Sequence, residues 1–222
     1  MIVLYGVFGT GGFGRECIAL AHDMLSGLHN DQRLFELCFV EHRPNAAIVN
    51  GYRVLSLEQF LSLRDTSKRF SVAVANPFDR LRIANEIEAE GIEPFTIRSR
   101  TSEIHPTARV GEGAILCQFT LVSANSEVGR HFHLNHHGYV SHDCRIGDFV
   151  TFAPAVRCNG TIEIGDTAYV GAGAIIRQGT PARSMRLGKS CIVGMGAVVL
   201  NSVGDGITVA GNPAKPLAGR RD

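Results

Sequence analysis

The chain has 222 residues, of which 45% are hydrophobic and 25 are glycines, and its formal net charge is +1. This composition excludes a disordered chain and supplies enough apolar side chains for the cores of one or two domains. A net charge so close to zero excludes a general attraction to nucleic acid or to an anionic membrane, and no apolar stretch is long enough to span a bilayer.

The six cysteines and the first eight residues indicate the cellular compartment of the protein. The six cysteines contain no CxxC pair, and Cys144, Cys158 and Cys191 fall on inward positions of the repeat described below. We therefore expect reduced core thiols, which are typical of a reducing compartment. Residues 1–8 are apolar but carry no basic segment and run directly into glycines. We predict a first strand and not a signal peptide, in a soluble and cytoplasmic protein.

The first hundred residues alternate between strand and helix patterns. The predicted strands cover residues 2–5, 34–40, 52–55, 70–75 and 94–97, and the predicted helices cover residues 15–28, 57–63 and 79–90. Such a βαβ series predicts an open parallel sheet that binds ligands at the carboxyl ends of its strands. We assign residues 1–100 to a small Rossmann-like domain of the α/β class.

A glycine-rich loop, residues 9–14, follows the first strand. It predicts a phosphate cradle, because exposed N–H groups and the dipole of the next helix face the anion. Glu41 ends the second strand, where a carboxylate can bind ribose hydroxyls, and Asn76 and Arg80 follow a strand that ends at the same crevice. Taken singly, each is more often a surface residue, but together with the loop they favour a nucleotide site. A domain of this length is too short for the two halves that bind a dinucleotide.

Apolar side chains recur at every sixth residue from Ile104 to Ile176 without a miss. Neither a helix nor an alternating strand produces this period, which is the mark of a hexapeptide β-helix. Three hexads make one triangular coil, so residues eighteen apart stack on one another. The second place of the hexad is often glycine, as expected where the backbone turns sharply, and the fifth place is often small. We assign residues 101–222 to this all-β domain.

The repeat is interrupted once, between Arg177 and Arg186, and resumes one residue out of phase at Leu187. A functional expelled loop and a tolerated insertion both account for the interruption. Basic residues flank it and also end the chain: Arg177, Arg183, Arg186, Lys189, Lys215, Arg220 and Arg221. One or more of them could bind phosphate groups, and a solvated basic surface is the alternative.

Five of the nine histidines lie within a single short stretch of the repeat. We expect His131 and His133 to face outward as ordinary polar residues of a β-helix. His136 and His142 hold the third place of consecutive hexads and also point away from the core. The stacking rule places Gly160 one coil from His142. A histidine beside an exposed glycine N–H suits acyl transfer, because the imidazole accepts a proton and the N–H stabilises the oxyanion.

Two further interpretations of this cluster are open. Asp143 could orient the His142 ring, although neighbours in sequence converge only at a corner. A zinc centre is the competing interpretation, since three imidazoles around an open position make a catalytic zinc site. His136 and His142 lie on different faces of one prism, and no histidine follows His142. We therefore predict no metal.

Four segments of the chain carry a resemblance to known proteins. They are the glycine loop with Arg15 and Glu16, the segment Val72–Arg80, the segment Ser141–Asp148 and the ending Gly211–Lys215. Here the chain resembles the bacterial nucleotide-sugar acetyltransferases of the hexapeptide-repeat family, which also includes the sialic acid O-acetyltransferases. The resemblance covers nearly the whole chain. It implies a left-handed parallel β-helix, a homotrimer, and acetyl-CoA in a groove between neighbouring β-helices, none of which follows from the period of six.

The resemblance also implies roles for individual residues. His142 becomes the general base, Asp143 its partner and Gly160 the oxyanion N–H. The acceptor substrate would be held by Gly11, Gly12, Phe13, Glu41, Asn76 and Arg80 at the nucleotide and by Asn135 at the sugar. Acetyl-CoA would be bound by Thr151, Ala172, Gly173, Gly194 and Met195, with Lys215 among the candidates for its phosphates.

Two positions depart from the family pattern. Relatives often carry two acidic residues after the second strand, whereas this chain has Glu41 followed by His42. Some relatives carry a second histidine where this chain has Thr151. Any role of that second imidazole is therefore absent or filled differently here.

The site and the resemblance together predict an acetyl-CoA-dependent N-acetyltransferase. Its acceptor would be the C4 amine of a nucleotide-linked 4-amino-4,6-dideoxy sugar for lipopolysaccharide O-antigen, and the resemblance favours GDP-linked perosamine over dTDP- and UDP-linked sugars. A sugar O-acetyltransferase is the nearest alternative, since the same His-Asp pair would serve a hydroxyl acceptor. A zinc hydratase and a non-catalytic nucleotide sensor are the remaining alternatives. No nucleic acid or membrane partner is expected.

Overall fold

A computed structural model describes residues 2–28, 34–63 and 67–217, which divide into two compact units. Unit 1 comprises the residues up to Arg100 together with Glu112–Ile115, and unit 2 comprises Thr101–Gly111 and the residues from Leu116 onward. The basic candidates Arg220 and Arg221 lie outside the described residues. Within the described ranges, no helix has both the length and the apolar character needed to cross a bilayer.

Unit 1 contains a mostly parallel sheet. Its described strands are β1 (Val3–Phe8), β2 (Phe35–Glu41), β3 (Ile48–Val49), β4 (Tyr52–Ser56), β5 (Ser67–Val72) and β6 (Glu93–Pro94), in the order β3-β4-β2-β1-β5-β6. The helices are α1 (Gly12–Leu28), α2 (Leu57–Ser62) and α3 (Pro77–Glu88), and β7 (Ile97–Arg98) follows β6. The central strand β1 pairs in parallel with β2 and β5, as predicted.

The boundaries in unit 1 differ from the predicted ones where turn chemistry dominates. Strand β5 ends at Val72, although the apolar residues continue to Ala75, because Asn76 and Pro77 start a helix. The Asn76 Oδ1 accepts hydrogen bonds from two N–H groups of the first turn of α3, and Pro77 occupies a position where no N–H is needed. The antiparallel pairing of β3 with β4 was not predicted, and the single strand expected at 94–97 is divided into β6 and β7.

Unit 2 is a parallel β-helix of short strands that follow one another around three faces. Face 1 stacks β10 (Ile115–Leu116), β13 (His133–Leu134), β16 (Thr151–Phe152), β19 (Tyr169–Val170), β22 (Ile192–Val193) and β24 (Thr208–Ala210), and β25 (Lys215–Pro216) pairs antiparallel with β24. Face 2 stacks β8 (Glu103–Ile104), β11 (Leu121–Val122), β14 (Tyr139–Val140), β17 (Arg157–Cys158), β20 (Ile175–Ile176) and β23 (Val198–Val199). Face 3 stacks β9 (Arg109–Val110), β12 (Glu127–Val128), β15 (Arg145–Ile146), β18 (Ile162–Ile164) and β21 (Met185–Leu187).

The coils stack in the predicted register of eighteen residues. Val140 pairs with Cys158, and Cys158 pairs with Ile176. All three side chains are fully buried, as are Cys144 and Cys191. A column of this kind gains about 1.5–3 kcal/mol for each large aliphatic side chain that it removes from water. The repeat therefore fixes both the position of each residue and the rigidity of the faces.

The glycines in the second place of the hexad serve close packing and not the turn, which corrects the prediction. An ideal Cβ at Gly111 would lie 2.6 Å from the backbone N of Arg130 on the next coil, so no larger residue fits. The left-handed corner residue is instead the fourth of the hexad. Asn125 and Asp143 hold this place with φ values of 58° and 57°. Asparagine and aspartate tolerate this conformation better than most residues.

The interruption of the repeat is an ordered turn outside the coil. Thr180 and Arg183 exchange two backbone hydrogen bonds of 2.9 Å and close a hairpin that contains Pro181. Strand β21 then restores the stacking on β18, with Leu187 opposite Ile164. The interruption is therefore a short hairpin outside the coil, and both a functional loop and a tolerated insertion can take this form.

His131 and His133 are fully buried, so the prediction that they face outward is wrong. The His131 ring stacks on Phe149 one coil later, with ring centroids 4.9 Å apart. The Arg130 guanidinium lies over the same Phe149 ring. His133 lies in β13 opposite Thr151, which is also buried. The place of a residue in the hexad predicts whether its side chain points away from the core. It does not predict whether other residues cover that side chain.

Candidate active site

His142 and Asp143 form a hydrogen-bonded pair at the corner where face 2 turns into face 3. The left-handed backbone of Asp143 brings two neighbours in sequence together, and His142 Nδ1 lies 2.8 Å from Asp143 Oδ2. A carboxylate can only accept, so Nδ1 carries the proton and Nε2 presents its lone pair. The two side chains are 55% and 50% exposed, which leaves the basic nitrogen accessible.

Asn125 supports this pair from the preceding coil. Its Nδ2 donates a hydrogen bond of 3.1 Å to Asp143 Oδ1, while His142 occupies the other oxygen. The hydrogen bonds from His142 and Asn125 lower the pKa of Asp143, so the carboxylate is ionised at neutral pH. Sequence reasoning missed Asn125, although the stacking rule applied to Asp143 leads directly to it.

The His142 ring packs against Gly160, one coil later. An ideal Cβ at Gly160 would lie 2.4 Å from His142 Cε1 and 2.5 Å from Nε2, so only glycine leaves room for the ring. The Gly160 carbonyl accepts a hydrogen bond from Gly179 N at 2.9 Å, whereas its own N–H has no acceptor in the described part of the chain. The glycine that packs against the basic nitrogen therefore carries an N–H with no acceptor among the described residues.

The residues predicted to bind acetyl-CoA lie on a different edge of the prism. Ala172, Gly173 and Met195 are exposed at the corner where face 1 turns into face 2, and Ala172 stacks below Met195. We call this corner, residues 136–137, 154–155, 172–173 and 195–196, the Met195 edge. We call the corner with residues 142–143, 160–161, 178–179 and 201–202 the His142 edge. A single chain therefore does not bring the two predicted sets together.

His136 belongs to the Met195 edge and not to the edge that carries His142. Among residues 2–28, 34–63 and 67–217, no three His, Cys, Asp or Glu side chains are grouped as metal ligands would be. Gly194 precedes Met195 and is half-buried, and Lys215 is exposed on β25.

Thr151 and Asn135 differ from their predicted role as pocket-lining residues. Thr151 is 1% exposed and lies between His133 and Tyr169 in the strand register. Asn135 is 9% exposed, and its Nδ2 donates to the Phe152 carbonyl at 3.0 Å. Within one chain, Thr151 offers almost no surface to a ligand, and Asn135 ties two coils together.

The glycine loop of unit 1 has the shape of an anion cradle. Gly11 and Gly12 are exposed, and no atom lies within 4 Å of an ideal Cβ at either residue. Phe13 is half-buried, and α1 begins at Gly12, so the N–H groups of its first turn lie at this open surface. An ideal Cβ at Gly14 would lie 1.9 Å from the Gly9 carbonyl oxygen, so the loop closes tightly on the helix.

Glu41 holds this loop in place. Its Oε1 accepts hydrogen bonds of 2.7 Å from both the backbone N and the Oγ1 of Thr10. The carboxylate predicted to bind ribose therefore has a structural task at the carboxyl end of β2. Thr10 was not singled out from the sequence, because a threonine inside a glycine string gives no signal of its partner.

Arg80 is fully buried, which corrects its prediction as a nucleotide-binding residue. Its Nη1 donates to the carbonyls of Val74 and Ala75, at 2.7 and 3.2 Å, and burial lowers the pKa of its guanidinium to about 9. The side chain folds back onto the loop after β5, because the carbonyls of this loop have left the strand and need donors. Asn76 is exposed, but its Oδ1 caps α3.

Comparison with known proteins shows similarity along the whole chain. No family model matches it. It is 44% identical over 214 residues, 96% of each chain, to the GDP-perosamine N-acetyltransferase of Escherichia coli O157:H7. The solved structure of WeeI from Acinetobacter baumannii AYE is 41% identical, with a TM-score of 0.91 over 98% of this chain and 100% of WeeI.

A second solved structure is the acetyltransferase domain of PglB from Neisseria gonorrhoeae FA1090 in complex with acetyl coenzyme A. It is 29% identical to this chain and has a TM-score of 0.86, covering 98% of this chain and 100% of that domain. The chain therefore belongs to the sugar N-acetyltransferase family that includes the GDP-perosamine N-acetyltransferase of Escherichia coli.

Proposed function

We propose that this enzyme transfers the acetyl group of acetyl-CoA to the C4 amine of GDP-perosamine, a nucleotide-linked 4-amino-4,6-dideoxy sugar. The relative of that name matches the chain over 96% of its length, and the PglB domain has been solved with acetyl coenzyme A. The observation that carries the proposal is the His142 ring, which is held by Asp143 and packs against a glycine whose N–H has no acceptor among the described residues.

His142 is the general base of the proposed reaction. Its Nε2 accepts a proton from the C4 amine as the amine nitrogen attacks the thioester carbonyl carbon. Asp143, ionised at neutral pH, keeps the proton on Nδ1 and stabilises the imidazolium that forms. A base in this position contributes about 10²–10⁴ in rate.

Gly160 stabilises the charge that develops on the carbonyl oxygen. The attack forms a C–N bond and a tetrahedral oxyanion, which accepts a hydrogen bond from the Gly160 N–H. Collapse of this intermediate breaks the C–S bond, and the CoA thiolate takes a proton from the imidazolium. A preorganised donor of this kind is worth about 10²–10³ in kcat.

The donor groove requires two copies of the chain in this proposal. Ala172 and Met195 lie on the Met195 edge, level with positions 178 and 201 of the His142 edge. A groove lined by both edges forms when the His142 edge of one copy faces the Met195 edge of another. Closure of this arrangement around a threefold axis gives the homotrimer.

Unit 1 binds the nucleotide in this proposal and unit 2 performs the transfer. We assign unit 1 to the Rossmann-like folds, with residues 11–13 at the diphosphate, and the β-helix to the left-handed class. Support comes from the open surface over Gly11 and Gly12 and from the start of α1 at this loop. Glu41 and Arg80 contribute by holding the two loops that form the crevice.

The test offers acetyl-CoA to the purified enzyme with GDP-, dTDP- and UDP-linked 4-amino sugars and follows CoA release. We expect turnover with GDP-perosamine and none with a matched GDP-sugar that has a hydroxyl at C4. His142→Ala should lower kcat by about 10²–10⁴ while the calorimetric Kd of acetyl-CoA stays near that of the wild type. Acetylation of the hydroxyl acceptor, or near-normal turnover of the variant, would overturn the proposal.

A further inference from the structure

A polar cavity of about 510 Å³ lies against the hairpin that interrupts the repeat. Its lining residues are Arg177, Gln178, Gly179, Thr180, Arg183, Ser184, Met185, Asn201 and Ser202. The volume falls within the range of small-molecule sites. Two of the lining side chains are cationic and none is acidic, so the cavity suits an anion.

The cavity lies on the His142 edge, above the proposed base. Strand register places Gly160 over His142, Gln178 over Gly160 and Asn201 over Gln178. Neighbouring strands are about 4.8 Å apart, so the three coils between His142 and Asn201 span about 14 Å. The floor of the cavity is therefore about 10 Å and its roof about 14 Å from the reacting centre along this edge.

Arg177 and Arg183 differ from the other basic residues around the hairpin. Lys189 Nζ forms an ion pair with Asp166 at 2.9 Å, and Arg186 lies opposite Glu163 on face 3. Arg186 does not line the cavity, and in the described part of the chain neither Arg177 nor Arg183 forms an ion pair. Both are exposed, so their charge is available to a ligand.

The hairpin holds Arg183 in a defined position. An ideal Cβ at Gly179 would lie 2.2 Å from the Thr161 carbonyl oxygen, so the chain leaves the coil in close contact with it. Ser184 Oγ donates to Glu163 Oε1 at 3.1 Å where the chain returns. A turn fastened at both ends reduces the entropy lost when its side chains bind a ligand.

We infer that this cavity binds the pyrophosphate of acetyl-CoA, with Arg177 and Arg183 as donors; the inference rests on the proposed function. Thirteen bonds separate the CoA sulfur from its nearest phosphorus. An extended chain advances about 3.5 Å for every three bonds, so this arm spans about 15 Å. A thioester at His142 with its arm along the His142 edge therefore places the pyrophosphate at the height of the cavity. Guanidinium groups bind phosphate oxygens in bidentate pairs.

The test compares the double variant Arg177→Gln/Arg183→Gln with the matched control Arg186→Gln. We expect the double variant to raise the KM for acetyl-CoA roughly tenfold to a hundredfold, and to weaken CoA binding in calorimetry by a similar factor. Its kcat and its KM for the nucleotide sugar should stay within about twofold. Arg186→Gln should change none of these values. Equal effects of control and double variant, or an unchanged KM, would overturn the inference.

Acetyl donors that lack parts of CoA show which phosphate group Arg177 and Arg183 bind. Acetyl-dephospho-CoA lacks the 3′-phosphate but keeps the pyrophosphate, so the double variant should lose as much affinity for it as for acetyl-CoA. Acetyl-pantetheine lacks both groups, and its KM should be the same for the variant and the wild type. If the loss disappears with acetyl-dephospho-CoA, the pyrophosphate assignment is wrong. If the wild type transfers acetyl from none of the donors, the proposed function itself fails.

Discussion

The two units differ in what their polar residues do at the predicted sites. In unit 2, His142, Asp143 and Gly160 come together, and the His142 ring is free to meet a ligand. In unit 1, Glu41 and Arg80 form hydrogen bonds with the loops around them. The difference follows from how each fold provides hydrogen-bond partners for its backbone N–H and C=O groups.

In a β-helix, most backbone N–H and C=O groups form hydrogen bonds between stacked coils. Side chains at an edge are therefore not needed as partners for the backbone. An open α/β sheet ends its strands in loops whose N–H and C=O groups need partners. Polar side chains near such loops form hydrogen bonds to the loop backbone, and only their remaining donors and acceptors can bind a ligand. A polar residue on an edge of the prism is therefore stronger evidence of chemistry than one at a strand end.

The sharpest test of the edge is Gly160→Ala. The added Cβ would lie 2.4 Å from His142 Cε1, so the ring must leave its position over the N–H. We expect kcat to fall by about 10²–10³, because both the base and the oxyanion donor lose their alignment. Steady-state kinetics with GDP-perosamine and acetyl-CoA measure the change.

Gly204→Ala is the matched control for this variant. Its nearest contact would be Ile207 Cγ1 at 3.5 Å, an ordinary separation, so folding and kcat should remain close to those of the wild type. A Gly160→Ala enzyme with full activity would show that the ring position over Gly160 is unimportant.

The sequence predicted unit 2 more accurately than unit 1 for the same reason. A strict period fixes which residues stack on one another along an edge, so the sequence alone places Gly160 one coil from His142. No such rule connects Thr10 to Glu41 or turns Arg80 back onto Val74, because these contacts depend on loop conformations. The burial of His131 was also missed, since it depends on an aromatic neighbour one coil away.

In unit 1, Arg80→Met should affect stability more than ligand binding. The variant removes the donor that serves the carbonyls of Val74 and Ala75, and we expect a loss of about 1–2 kcal/mol in the free energy of unfolding. Denaturant titration measures it. Arg82→Met on the same helix has a side chain that is 60% exposed and should change stability by less than about 0.5 kcal/mol. Weaker GDP-perosamine binding without a loss of stability would restore the original prediction for Arg80.

A double-mutant cycle separates the two possible roles of Glu41. If Glu41 acts by holding the loop, Glu41→Ala and Thr10→Val should each raise the KM for the nucleotide sugar, by about tenfold and severalfold, and the double variant should add little to Glu41→Ala. If Glu41 binds ribose directly, Thr10→Val should have almost no effect. Additive losses would therefore contradict the loop-holding role.

The smallest expected effect belongs to Asn125→Ala. Its hydrogen bond helps to hold the pKa of Asp143 below the usual value, so the variant should raise that pKa, measured by the carbon-13 shift of the carboxyl. Because the pKa is depressed in the folded state, stabilisation of the ionised pair is complete above the ordinary carboxyl pKa and disappears as pH falls through the folded value. In the variant this stabilisation is smaller.

Since Asn125 contacts Asp143 and not the ring, kcat should fall only a few-fold in Asn125→Ala. Adding Asn125→Ala to Asp143→Ala should then change neither kcat nor its pH profile, because the carboxylate through which Asn125 acts is already missing. A further loss in that double variant would mean that Asn125 reaches the reacting groups by another route. The edge would then carry a catalytic contact that the stacking of Asn125 below Asp143 does not explain.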